Sequence, residues 1–274
     1  MKQINKLTII ATKILLIFLL ITTAGIYTSN AAKIRVKTYV LVHGAWQAPS
    51  GWQIVKTQLE KKGQRVITVQ LPGHGNDTTA AAKLTMDTYI ATVVNAINAI
   101  DGKVILVGHS MAGMIISGVA EQIPNRIEKL VYIAAYVPAN GQSAYAISLL
   151  DKQSQLGAAL IPSADKTLLD VKLNQVTNIF CQDAPTKVKK LVLAHYRAEP
   201  AIPFSNPVTL TGDNFGKVAK CYIQTLQDHG IGINLQNEMV KSAGITKVYK
   251  LNSGHSPFLS MPAAVTTILL KTAQ

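Results

Sequence analysis

Six short runs of apolar and β-branched residues, at positions 38–42, 65–70, 103–107, 129–134, 220–225 and 247–251, recur along the chain with helix-length segments between them. Most of these runs are apolar throughout instead of alternating with polar residues. A strand of that kind is buried on both faces, so the pattern predicts a parallel sheet with helices packed on each side. The intervening segments carry helical spacing. Residues 51–62 place Trp52, Val55 and Leu59 on one face, and 84–100 opens on Thr85, with Asp87 in its first turn, before Tyr89, Ile90, Val93, Val94 and Ile97. Segments 111–122, 235–243 and 261–272 complete the helices. Strand and helix repeated in this way predict an α/β, doubly wound, mainly parallel sheet with right-handed crossovers.

One stretch breaks the alternation. Residues 138–217 lack a convincing core strand and hold several short amphipathic pieces, among them 186–196. That is too long for a simple connection and is read as a helical cap inserted over the carboxyl ends of the strands, the edge at which α/β sheets place their sites. The core is therefore expected from 32–137 and 218–274.

Composition excludes several classes. With 48% hydrophobic and 15% charged residues the chain is too apolar to be disordered, and two cysteines cannot make a disulfide scaffold. The formal charge of +13 raises nucleic acid as a partner, but the lysines are dispersed, the longest basic patches being the pairs Lys61-Lys62 and Lys189-Lys190. No nucleic-acid partner is expected. Before the first strand, Lys2 and Lys6 precede an apolar stretch from Ile14 to Tyr27, and Ser29 and Ala31 stand at the −3 and −1 positions before Ala32. Residues 1–31 thus read as a signal peptide, giving a secreted or periplasmic protein with no stable membrane insertion after cleavage; the competing reading is an N-terminal anchor, against which Lys13 interrupts the apolar run. Export leaves Cys181 and Cys221 free to pair or not, and two unpaired buried thiols are expected.

The chemistry starts at residues 104–113, VILVGHSMAG. An apolar strand runs into a turn of small residues with Ser110 at its apex and a helix behind it, the nucleophile-elbow arrangement in the form GxSxA. A serine hydroxyl needs a base, and His255, directly after the last strand, falls at the same sheet edge. The imidazole in turn needs a carboxylate to hold its tautomer, and Asp228 follows the preceding strand. His43, His74, His109 and His195 read as loop or packing residues. The developing oxyanion requires donors: the Met111 N–H after the nucleophile, and the Ala45 N–H in the loop after the first strand.

With these residues in place, LVHGAW, LPGHG, VGHSMAG, YIQTLQD and GHSPFLSMP resemble, in order and spacing, the α/β-hydrolase superfamily. Within it they look like the branch of plant methylesterases, hydroxynitrile lyases and bacterial esterase relatives. The resemblance covers residues 38–272, is weakest in the cap, and implies the same roles for Ser110, His255, Asp228, Ala45 and Met111. The lyases of this branch carry Thr after the first-loop His and Lys after the catalytic His, where this chain has Gly44 and Ser256; dehalogenases and epoxide hydrolases carry Asp at the elbow apex. What the resemblance implies is a carboxylesterase acting on small, methyl or aromatic esters, with Trp46, Met111, Phe180 and Phe258 as candidate pocket walls. A lactonase or acyltransferase with the same triad, or a ligand-binding sensor on a hydrolase fold, are the alternatives. No metal cluster with ligand spacing and no phosphate-binding glycine loop occurs in the sequence, so no metal and no cofactor is expected.

Overall fold

In the computed structural model, residues 36–273 are described; the expected signal segment 1–31 lies outside them. The first strand, β1 (Thr38–Val42), leads through a 3₁₀ turn at Pro49–Trp52 into α1 (Gln53–Lys61), followed by β2 (Arg65–Val69), α2 (Met86–Asn98), β3 (Val104–His109), α3 (Ala112–Gln122) and β4 (Ile127–Ile133). The insertion then contributes α4 (Ala144–Ser148), β5 (Leu160–Pro162), β6 (Leu168–Val171), α5 (Leu173–Cys181), α6 (Thr186–Ala194), β7 (Glu199–Pro200) and α7 (Ala201–Ser205). The chain returns to the core with β8 (Lys220–Thr225), α8 (Ile233–Ser242), β9 (Lys247–Leu251), α9 (Pro257–Ser260) and α10 (Pro262–Thr272).

The main sheet has the order β2-β1-β3-β4-β8-β9, with every pairing parallel. Side chains alternate between its faces. Val40, Leu106, Leu130 and Tyr222 pack with residues of α2, α3 and α8, whereas Tyr39, Leu41, Val107, Val131 and Ile223 pack with Trp52, Val55, Leu59 and, from α10, Val265 and Leu269. Both faces are therefore dry, which is why the runs read as continuously apolar. Thr85 closes the start of α2 in a capping box with Thr88.

The structure differs from the expectation in three places. The helix expected over 51–62 begins as a 3₁₀ turn, because Pro49 fixes the first φ and the short PSGW turn closes i→i+3 bonds. The strand expected at 129–134 starts two residues earlier, at Ile127, and ends at Ile133, since Ala134 takes a left-handed φ of 45°. The insertion is not purely helical: β5, β6 and β7 form a three-stranded antiparallel sheet.

What matters for the site is the carboxyl edge. Strand β1 lies between β2 and β3, so the chain order reverses there, and the segments leaving β1 and β3 diverge to open a crevice.

Candidate active site

Ser110 follows β3 directly and adopts φ 56°, a left-handed conformation that a side chain bearing a Cβ takes only under constraint. The constraint is visible on every side. Its N–H donates to the Ile133 carbonyl at 3.3 Å, and its own carbonyl accepts from Gly113 N–H at 3.0 Å and Tyr136 N–H at 3.1 Å. A Cβ at Gly113 would stand 1.9 Å from the Tyr136 oxygen, and one at Gly108 would stand 2.8 Å from the Ala112 oxygen. These are the contacts that demand small residues around the serine. A Cβ at Gly44 would fall 2.9 Å from the Ser110 Cβ, so the turn after β1 approaches the serine closely only because residue 44 has none.

Asp228 and His255 meet at the same edge. His255 Nδ1–H donates to the Asp228 carboxylate, 2.9 Å from Oδ1 and 3.0 Å from Oδ2, with both side chains buried. The carboxylate accepts four further bonds: the N–H groups of Gly230 and Ile231 on Oδ1, and the Thr225 hydroxyl and Gln236 amide on Oδ2. Donors of this number fix the carboxylate in direction. His109 Nε2–H donates to the His255 carbonyl at 2.9 Å and so holds the backbone of that loop; burial first, and the neighbouring His255 and His43 next, push its pKa well below the ordinary histidine range. The His109 and His255 rings lie 4.6 Å apart. The Ser110 side chain, 9% exposed at residue level, forms no hydrogen bond among the described residues.

Ala45 and Met111 are buried, and neither N–H donates to any group among the described residues. Buried backbone N–H groups without partners are rare, and that of Met111 is the one directly after Ser110. Met111 also begins α3, where the helix dipole adds positive potential. Beyond Ala45, Trp46 has φ 56° and donates its N–H to Glu199 Oε2 at 2.8 Å and its indole N–H to the Leu169 carbonyl at 2.9 Å.

The candidate pocket residues divide. Trp46, Phe180 and Phe258 line a cavity of about 270 Å³ together with Ile54, Leu191 and Tyr196, whereas Met111, Ser110, Ala45 and His255 do not. Trp46 and Phe180 stack at 5.3 Å, and the Phe180 ring lies 6.0 Å from the His255 ring, so Phe180 is the cavity wall that neighbours the imidazole.

Sequence reading missed three contributors. Thr225 and Gln236 anchor Asp228, and Glu199 grips the turn that carries Ala45. Only Gln236 left a trace, as a polar residue on the buried side of α8. Of the other histidines read as packing residues, His43, His74 and His109 are buried, whereas His195 is exposed and lines the cavity. His43 is fully buried and neutral, its pKa brought down to about 3 by burial and by His74. His74 is paired with Glu199 at 2.7 Å. Cys181 and Cys221 are both free and buried. Among the described residues no cluster of three His, Cys, Asp or Glu side chains is arranged to hold a metal, and no described helix is long and apolar enough to cross a membrane.

Residues 39–268 match the sequence profile described as the alpha/beta hydrolase family. Chloroplastic proteins of Arabidopsis thaliana that carry the names methylesterase 11 and methylesterase 14 are each 30% identical to this chain, over 86% and 87% of it. The chain spans 64% of the first and 72% of the second. The pyrethroid hydrolase of Sphingobium wenxiniae is 27% identical, over 83% of this chain and 84% of its own. Among solved structures, polyneuridine aldehyde esterase superposes with a TM-score of 0.79 at 22% identity, covering 88% of this chain and 100% of that one, a likeness of fold.

Proposed function

The chain belongs to the alpha/beta hydrolase family, and we propose that it is a serine carboxylesterase in which Ser110 is the nucleophile, His255 the base and Asp228 the acid. One observation carries the reading: a buried, hydrogen-bonded Asp228–His255 pair sits at the sheet edge where Ser110 is held left-handed, directly before the Met111 N–H, which has no acceptor among the described residues. The Ser110 oxygen adds to an ester carbonyl as its proton passes to His255 Nε2, and the oxyanion is met by the N–H groups of Ala45 and Met111. Collapse expels the alcohol, which takes the proton from His255. Water then attacks the acyl-enzyme by the same route and the acid leaves. Asp228 holds the imidazole by its Nδ1–H, leaving Nε2 for the serine.

The apolar cavity beyond Trp46 and Phe180 suits the hydrophobic part of an ester, and the names of the relatives make methyl esters and pyrethroid esters the first candidates. The insertion is read as the cap over this site, and the N-terminal pattern as an export signal; an N-terminus at Ala32 in the periplasmic or secreted protein, found by mass spectrometry, tests the latter. The reading as a whole is tested with p-nitrophenyl acetate and a panel of methyl and aromatic esters. Hydrolysis is expected from the wild type and a loss of at least a thousandfold in Ser110→Ala with the fold intact. Tight binding without turnover, or undiminished turnover by Ser110→Ala, refutes it.

A further inference from the structure

We propose that Glu199 and His74 are positioning residues that hold the turn after β1 in the shape required for oxyanion binding. The hold is supplied by the insertion, on whose strand β7 Glu199 lies, and it rests on the reading of Ser110 as nucleophile and Ala45 N–H as oxyanion donor.

Trp46 is the residue that needs holding. Bulky side chains rarely take a left-handed backbone, and the strain persists only where surroundings enforce it. Its N–H and that of Ala45 belong to consecutive peptide units, so fixing the direction of the first restrains the dihedrals that aim the second. The Trp46 N–H is satisfied by the Oε2 of Glu199, a completely buried carboxylate 153 residues further along the chain. Without it, a buried N–H would lose its acceptor beside a strained turn, and relaxation would swing the Ala45 N–H away from Ser110.

The same oxygen meets His74 Nε2 at 2.7 Å, while His74 Nδ1 faces the Pro72 carbonyl at 3.0 Å. Both ring nitrogens therefore point at oxygen acceptors, and the pair must hold one proton more than a neutral Nδ1–H imidazole with a bare carboxylate would carry. The groups around His74 come from every neighbouring segment: His43 from the turn after β1 at 4.9 Å between rings, Tyr89 from α2 at 5.6 Å, Arg197 from the approach to β7, and Glu199 itself. Burial and Arg197 oppose the charged ring, yet the charge and hydrogen bond of Glu199 outweigh them, and the His74 pKa ends above the ordinary value. Arg197 also donates to the carbonyls of Gly75 and Asp77, so the insertion grips the loop carrying His74 at a second point. As pH rises past the raised His74 pKa the ring keeps Nε2–H on Glu199 and gives up Nδ1–H, so a lone pair faces the Pro72 carbonyl, the ring loses the charge that fixes Glu199, and the hold on Trp46 loosens.

The test compares kcat and KM of wild type, Ser110→Ala, Glu199→Ala and Glu199→Gln on p-nitrophenyl acetate between pH 6 and 10, with melting curves to establish folding. Ser110→Ala must abolish turnover; if it does not, the esterase reading fails and this experiment says so separately. Given that loss, Glu199→Ala is expected to lower kcat at least tenfold with KM within twofold. Glu199→Gln, which keeps a carbonyl for the Trp46 N–H, falls between them, and its kcat lacks the alkaline decline of the wild type. If Glu199→Ala does not fold, Glu199→Gln decides alone. A folded variant with kcat within twofold of wild type at every pH overturns the proposal, as does a loss of kcat matched by an equal rise in KM.

Discussion

Two residues of the site, Ser110 and Trp46, share a φ of 56°, and both are fixed by groups distant in sequence. Around Ser110 the restraint is steric. Gly113→Ala would set a methyl 1.9 Å from the Tyr136 oxygen, so α3 must part from the segment after β4. Overpacking of this kind costs roughly 3 kcal/mol, or a fall in Tm of about 6–12 °C, and kcat should fall with it because the elbow moves. An unchanged melting curve for Gly113→Ala would contradict the packing described. The small residues of GHSMAG made this elbow readable from the chain alone. The Glu199–His74 contact was not readable, since its partners are 125 residues apart and, although His74 stands in LPGHG, Glu199 sits in no periodic pattern or motif.

At the scale of elements, the carboxyl end of β8 is joined to α8 by two side-chain links: Gln224 donates to Asn237 Oδ1 at 2.7 Å, and Gln236 makes the one that reaches Asp228. Gln236 accepts from Thr225 N–H at 3.1 Å and donates to Asp228 Oδ2, the Thr225 hydroxyl and the Ile231 carbonyl. Gln236→Leu would strand several of these buried groups at once, for a destabilisation of about 2–4 kcal/mol, and would leave the Asp228 carboxylate freer to rotate. Expected is a tenfold or greater fall in kcat/KM, larger than that for Asn237→Ala one residue along the helix; equal effects from the two would show that Gln236 only packs. The strands β8 and β9 were legible to the residue, because each holds apolar or β-branched residues over most of its length, broken only by Lys220, Gln224, Lys247 and Lys250. By contrast β5, β6 and β7 are three, four and two residues long, too short for any alternation to register.

For the molecule as a whole, buried histidines give stability two opposed slopes with pH. His43 and His109 stay neutral in the folded protein well below pH 6.5, while the unfolded chain takes up protons there; folding is therefore penalised as the solution is acidified from about 6.5 downward. Each contributes a loss of about 2 kcal/mol between pH 6.5 and 5, from roughly 1.4 kcal/mol per unit. His74 has the opposite sign: its stabilisation is complete below pH 6.5 and disappears as pH rises through its elevated value. The urea midpoint should accordingly be highest near neutrality and drop at pH 5; a midpoint that is flat or rising toward pH 5 would show that these rings are not held neutral. The doubly wound architecture and the placing of Ser110, Asp228 and His255 after strands of the same sheet edge were visible beforehand, because each follows its own strand. The way the insertion braces the site was not, since it depends on side chains meeting across the fold. The insertion also bears on how the molecule is made. Neighbouring strands β4 and β8, paired from Leu130 with Lys220 to Ile133 with Ile223, are separated by all of it. A nascent chain that has emerged only as far as the insertion leaves β4 as a bare parallel edge, open to pairing with another chain, until synthesis delivers β8 to cover it.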